Sequence, residues 1–317
     1  MVVLSLLLVE EARVHERTPF REYATAAWEL MCSKAFFCVL LWQLLNPSIQ
    51  YVHSTAYPPV QRFWAGVQTL PNQASSIVAY GFFSASLWVV REHFLGVSWR
   101  AMIGVTTMVL LALDAPFALL TTYDVVRNQY FYLGENLVTY IPGAVFLVVS
   151  CFVLVEHATE AHGGLVYGLL SAANYVGQSI PNAISNQLFG MFYPALSHTA
   201  NYNPKQGGDQ QCFRNVVASS FLLGYGFATA SLLTLPLMPN QKADARRRLA
   251  TWPRHNSYAV STVVLVVVSL GYSVTTNVLA LTPLACLRVA GGQGCSGVPH
   301  ADPEVAQPCD ENQTALV

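Results

Sequence analysis

Seven polar side chains stand mostly at steps of three or four in an otherwise apolar stretch: Tyr167, Ser171, Asn174, Gln178, Asn182, Ser185 and Asn186. On a helix that spacing collects most of them into one stripe. Amides and hydroxyls arranged in this way hydrogen-bond either a polar solute or a neighbouring helix. Pro181 falls in the stripe, and proline removes an amide donor and frees a carbonyl. Two readings stand side by side: a cavity-lining helix that bends during transport, and a helix whose Ser, Asn and Gln hold its neighbours without touching a ligand.

Two carboxylates add charge to this inventory. Asp114 precedes Pro116 by two residues, and Glu135 with Asn136 precedes Tyr140 and Pro142. A carboxylate within an apolar run is costly, so it usually faces a bundle interior or a water-filled cavity and couples to substrate or proton. If the helix stops at Pro116, however, Asp114 is an ordinary interfacial residue. If a helix starts at Glu135, that residue is an acid favoured by the helix dipole. Asp114, Glu135, Asn174, Gln178 and Asn182 are the candidate substrate-binding residues.

Other groupings carry less chemistry. Glu156, His157, Glu160 and His162 resemble a metal cluster, but histidines five apart on a helix point about 140° away from each other, whereas a zinc helix needs them four apart. Gly291 to Cys295 is glycine-rich but lacks the Lys and Ser or Thr of a phosphate loop. No nucleophile, histidine and acid can be grouped. The reading therefore assigns no catalytic residue, no metal and no cofactor, and it is not that of an enzyme.

The elements that must position these residues follow from composition. Of 317 residues 53% are hydrophobic and 10% charged, against roughly 25% charged in soluble domains. A soluble fold and a disordered chain are both excluded. A formal charge of -1 leaves no basic field for nucleic acid. The lipid bilayer is the expected partner, and the chain reads as an integral, multi-pass membrane protein. Membrane spans need about 20 mostly apolar residues. Seven are expected: Ala27 to Leu45, Gln73 to Val90, Met102 to Thr122, Val138 to Val155, Leu165 to Phe189, Val216 to Leu237 and Tyr258 to Leu281.

The resulting organisation is a truncated helix end and cytosolic segment (1–26), a six-helix membrane bundle (27–237), a basic cytosolic linker (238–256), an additional transmembrane helix (257–283) and an exoplasmic tail rich in Cys, Gly and Pro (284–317). Ten Lys and Arg fall in one set of loops, between Arg13 and Arg21, Arg91 and Arg100, and Lys242 and Arg254, and five in the other, at Arg62, Arg127, Lys205, Arg214 and Arg288; this bias puts the first set in the cytosol. Cys212, Cys286, Cys295 and Cys309 then share the exoplasmic side, where disulfides are permitted. At least one bridge among them is expected, Cys286 to Cys295 first. Tyr51, Tyr57, Phe63 and Trp64, and Tyr123, Tyr130, Phe131 and Tyr132, form two aromatic belts on that side.

The stretch from Tyr130 through Phe192 resembles the folate-biopterin transporter family of the major facilitator superfamily, in its carboxy-terminal half. The resemblance lies in Phe131-Tyr132-Leu133-Gly134-Glu135 and Pro142, a turn with Glu160 and Gly163, and Leu165-Val166-Tyr167-Gly168-Leu169-Leu170-Ser171 with Asn174. It covers about a fifth of the chain. His162 and Gly163-Gly164 stand where the family more often has Glu-Gly-Thr, and the cysteine-bearing tail is atypical. The resemblance implies an all-α polytopic bundle, half of a major-facilitator-type fold plus one extra helix. It also implies transport of a pterin-like, folate-like or other small organic solute by alternating access, and pairing with a missing amino-terminal half. The alternative is a structural or regulatory multi-pass protein that transports nothing.

Overall fold

The computed structural model describes residues 20–94, 96–157, 163–280, 306, 307 and 309. Nine helices of ten or more residues follow one another among the described residues: α1 (Phe20–Met31), α2 (Lys34–Gln50), α3 (Thr69–His93), α4 (Trp99–Thr122), α5 (Gln129–His157), α6 (Gly163–Phe189), α7 (Gln211–Ala230), α8 (Lys242–Thr251) and α9 (Asn256–Ala280). Seven 3₁₀ residues, Ser231–Leu237, prolong α7. The fold is all-α. Five described helices are long and apolar enough to cross a membrane: α3, α4, α5, α7 with its continuation, and α9. Such helices support a multi-pass membrane protein.

The segment expected to form the first span, Ala27 to Leu45, is not one helix. The chain leaves the helix after Met31 and re-enters it at Lys34. Ser33 is extended there (φ -74°, ψ 125°) and forms an isolated antiparallel bridge with Arg254. The Lys34 amide donates to the Pro253 carbonyl (3.3 Å), and the His255 amide to Cys32 (3.0 Å). Backbone groups released by the break are thus re-paired across the fold, and the helix that resumes at Lys34 has 17 residues and is not among the five. The fifth expected span folds as the 27-residue α6; its polar stripe keeps it out of the apolar group.

α2 is the most enclosed helix, burying Phe36, Val39, Leu40, Trp42, Gln43 and Asn46 among others. It packs on α6, α7, the 3₁₀ continuation, α8 and α9. Contact with α6 is close because Gly177 has no side chain: a Cβ there would lie 2.6 Å from the Leu44 carbonyl oxygen and 2.7 Å from Pro47 Cγ. Small residues allow this backbone approach between membrane helices. By contrast α9 leaves Val260, Val264, Val267, Val268 and Leu270 exposed, an apolar face suited to lipid.

The loops segregate to two ends. At the basic end the Trp99 amide donates to the Asn240 carbonyl (2.8 Å), the Arg100 guanidinium to the carbonyls of Met238 and Pro236, and Glu156 pairs with Lys242 (2.8 Å) and Arg246 (2.9 Å). The basic linker is itself partly helical, as α8. At the opposite end Trp64, Tyr202, Phe213 and Phe221 belong to one apolar cluster. Arg127 lies over the Trp64 ring, 4.7 Å from its centroid, and both Arg127 and Arg214 grip Asp209. The expected aromatic belts divide here: Tyr51, Phe63, Tyr123 and Tyr130 are exposed, whereas Trp64 and Tyr132 are buried.

A disulfide joins Cys212 to Cys309, with Cα atoms 6.1 Å apart. The Gln307 amide beside it donates to the Asn201 side chain (2.8 Å), so this part of the tail sits at the end opposite the basic one. One bridge among the four cysteines expected on the exoplasmic side is therefore present, in a different pairing from the one expected first; Cys286 and Cys295 lie outside the described residues.

Candidate functional site

Both carboxylates sit deeper in their helices than a boundary position would place them. α4 continues through Pro116 to Thr122, so Asp114 lies two turns from its end. α5 begins at Gln129, so Glu135 is well inside it and is not an amino-terminal acid. α4 and α5 pack against each other, and α4 also packs against α7. These contacts bring Asp114, Glu135 and Tyr225 around one cavity of about 150 Å³, whose lining includes Gln50, Tyr57, Thr139 and Phe221.

The Tyr225 hydroxyl donates to Asp114 Oδ2 (2.9 Å), while Asp114 Oδ1 is buried without a partner. Glu135 is 7% exposed and also lines a second cavity of about 230 Å³ with Tyr57, Gln61, Asn72, Ser76 and Tyr132. Tyr57 and Glu135 are common to both linings, so the two spaces adjoin. The Tyr132 hydroxyl and Gln50 Oε1 are buried and unpartnered as well. Native interiors leave few such groups unsatisfied, and three gather here. The rings pack as a wall: Tyr57 meets Phe221 edge-on at 6.0 Å and Tyr132 at the same centroid distance.

The stripe on α6 goes elsewhere. Asn174 Nδ2 donates to Gln43 Oε1 on α2 (3.0 Å), and Gln178 Nε2 donates to Asn174 Oδ1 (2.6 Å). Gln178 and Asn182 are exposed on α6. None of the three belongs to the lining around Asp114 and Glu135. Ser185 instead accepts from the His53 amide (3.1 Å). The five candidates therefore divide: Asp114 and Glu135 share a cavity, Asn174 and Gln178 form an amide relay to α2, and Asn182 is exposed on α6.

The metal-like grouping has other engagements in its described part. Glu156 holds Lys242 and Arg246, and His157 Nδ1 lies 2.7 Å from the Val153 carbonyl oxygen. Glu160 and His162 lie outside the described residues.

Sequence reasoning missed Tyr225, Gln43, Gln50 and Gln61. Gln43 carried a usable signal, being an amide within the apolar run from Ala35 to Leu45. Tyr225 carried none, since an isolated tyrosine in a span is ordinary and its role depends on a residue 111 positions away.

Neither a family model, nor a curated protein, nor a solved structure matches this chain.

Proposed function

We propose that the chain is a membrane bundle of a solute transporter of the folate-biopterin type, moving a small organic solute by alternating access. The observation that supports this reading is the pair of adjoining cavities around Asp114 and Glu135, with their unpartnered oxygens held among helices of membrane-spanning length. Buried acids at membrane depth are retained where a solute or ion replaces the missing partners.

Alternating access also needs a closure that can open. At the basic end Arg100 binds backbone carbonyls of the 3₁₀ segment, and Glu156 binds exposed Lys242 and Arg246. These are polar contacts that separate at small cost in water. The cavities lie towards the other end, beside the short helical segments Tyr57–Pro59 and Val60–Trp64 that carry Tyr57 and Gln61. This conformation is then one closed at the basic end. Rocking requires a second bundle, and a second copy of the chain supplies it in vesicles that hold this protein alone.

Uptake of radiolabelled biopterin and folate into vesicles containing the purified protein tests this. Uptake above that of protein-free vesicles, lowered at least tenfold by Glu135→Gln, is the expected result. Asn174→Leu or Gln178→Leu lowers it with insertion intact if the amide relay takes part. No uptake of either solute would remove the folate-biopterin reading.

A further inference from the structure

We propose that the adjoining cavities around Glu135 bind a protonated organic amine, a cation carried on a body about the size of one ring. The inference rests on the transport reading for its cavities and departs from it in the solute, naming a cationic class in place of anionic, folate-like ones.

Charge comes first. Asp114 and Glu135 line these cavities, and no Lys or Arg lines either of them. An anionic ligand would face two carboxylates, with the His53 imidazole, 2.6 Å from the Tyr51 carbonyl oxygen, as the one basic side chain in these linings, and such like-charge juxtaposition is strongly disfavoured.

Hydrogen-bonding capacity points the same way. Asp114 Oδ1 and Gln50 Oε1 are buried acceptors without donors, and Glu135 makes no hydrogen bond or ion pair among the described residues although it is 7% exposed. The Tyr132 hydroxyl, on a side chain 2% exposed, is also unpartnered. An ammonium has three donors and no acceptor, which suits a surplus of acceptors.

The apolar walls complete the match. Tyr57, Tyr132, Phe221 and Tyr225 supply rings around the carboxylates, and aromatic faces attract cations when both are desolvated. Size argues against a bare ion. The volumes of about 230 and 150 Å³ far exceed the roughly 30 Å³ share of one water. No group of three His, Cys, Asp or Glu able to hold a metal occurs among the described residues.

The test uses the full chain in detergent and three probes of one shape: benzylammonium, benzyl alcohol and benzoate. Binding is read from the concentration dependence of the thermal midpoint. Benzylammonium is expected to bind at least tenfold more tightly than either other probe. Glu135→Gln and Asp114→Asn are each expected to weaken it tenfold and leave benzyl alcohol unchanged. Equal affinity for all three, preference for benzoate, or indifference of benzylammonium to both variants overturns the proposal. A midpoint raised by sodium but not potassium chloride, with no preference among the ring probes, overturns it in favour of an inorganic cation. If neither variant folds, the wild-type series decides alone. Because binding is read without flux, the two proposals fail separately: benzylammonium binding in vesicles that move no solute sinks transport only, and solute uptake with a benzoate-preferring cavity sinks the amine site only.

Discussion

The Ser48 hydroxyl lies 3.2 Å from the Gly177 carbonyl oxygen, which Pro181, four residues further along α6, leaves without an amide donor. A side chain on α2 thus fills the gap in the hydrogen-bond ladder of α6, at the place where Gly177 brings the two helices closest. The same hydroxyl reaches the Leu44 carbonyl (2.6 Å), so a single hydrogen is shared between the two helices. The proline in the polar stripe therefore has a local structural partner.

Replacing Ser48 by alanine is expected to lower stability by about 1 kcal/mol, the usual net worth of such a bond. The loss should shrink when Pro181→Ala supplies the missing amide. A double-mutant cycle on unfolding in detergent measures the coupling. Equal losses in both backgrounds would show that Ser48 does not serve the Gly177 carbonyl.

Gly177→Ala places a methyl group 2.6 Å from a backbone oxygen and 2.7 Å from a proline ring. Neither can move aside without shifting α2. A loss of about 1–3 kcal/mol is expected, as for overpacking, read as a lower thermal midpoint. Gly168→Ala on the same helix meets nothing within 4 Å and is expected to hold or raise the midpoint, since alanine is the better helix former.

Asp209 links Arg127 (2.6 Å) and Arg214 (2.9 Å). Burial alone would raise its carboxyl, but hydrogen bonds and charge from the two guanidinium groups outweigh that and hold it below the ordinary carboxylate range. A depressed value means that the stabilisation is complete above the unfolded value of about 3.9 and disappears as pH falls through the folded one. Asp209→Asn is expected to cost about 2 kcal/mol at pH 7, with the gap from wild type closing below about pH 4. Melts from pH 7 to pH 3 show this; a gap that widens in acid contradicts the assignment.

Peptide mapping without reduction is expected to recover a linked fragment pair containing Cys212 and Cys309. Cys32, Cys38 and Cys151 are free thiols and should take up an alkylating reagent in denaturant without reduction. Full alkylation of Cys212 under the same conditions would exclude the bridge.

The basic end is expected to face the cytosol. Ala243→Cys on exposed α8 should react with an impermeant maleimide only after the membrane is opened. Labelling on intact cells would reverse the orientation.

Composition and period by themselves determined that the chain is helical, where most long helices run and which α6 residues share a stripe. These are local properties: apolar length and a step of 3.6 residues act within one segment. The break at Cys32 and Ser33 was beyond reach because its backbone partners, Pro253 to His255, lie far along the chain. The partition of the polar residues was decided in the same way. Asn174 turns to Gln43 and not to Asp114, whose partner is Tyr225. In a chain with apolar residues on most helix faces, hydrophobic pattern gives little information about which face meets which neighbour. Close packing at Gly177 and the satisfaction of each buried polar group settle that, and both exist only once the helices have assembled.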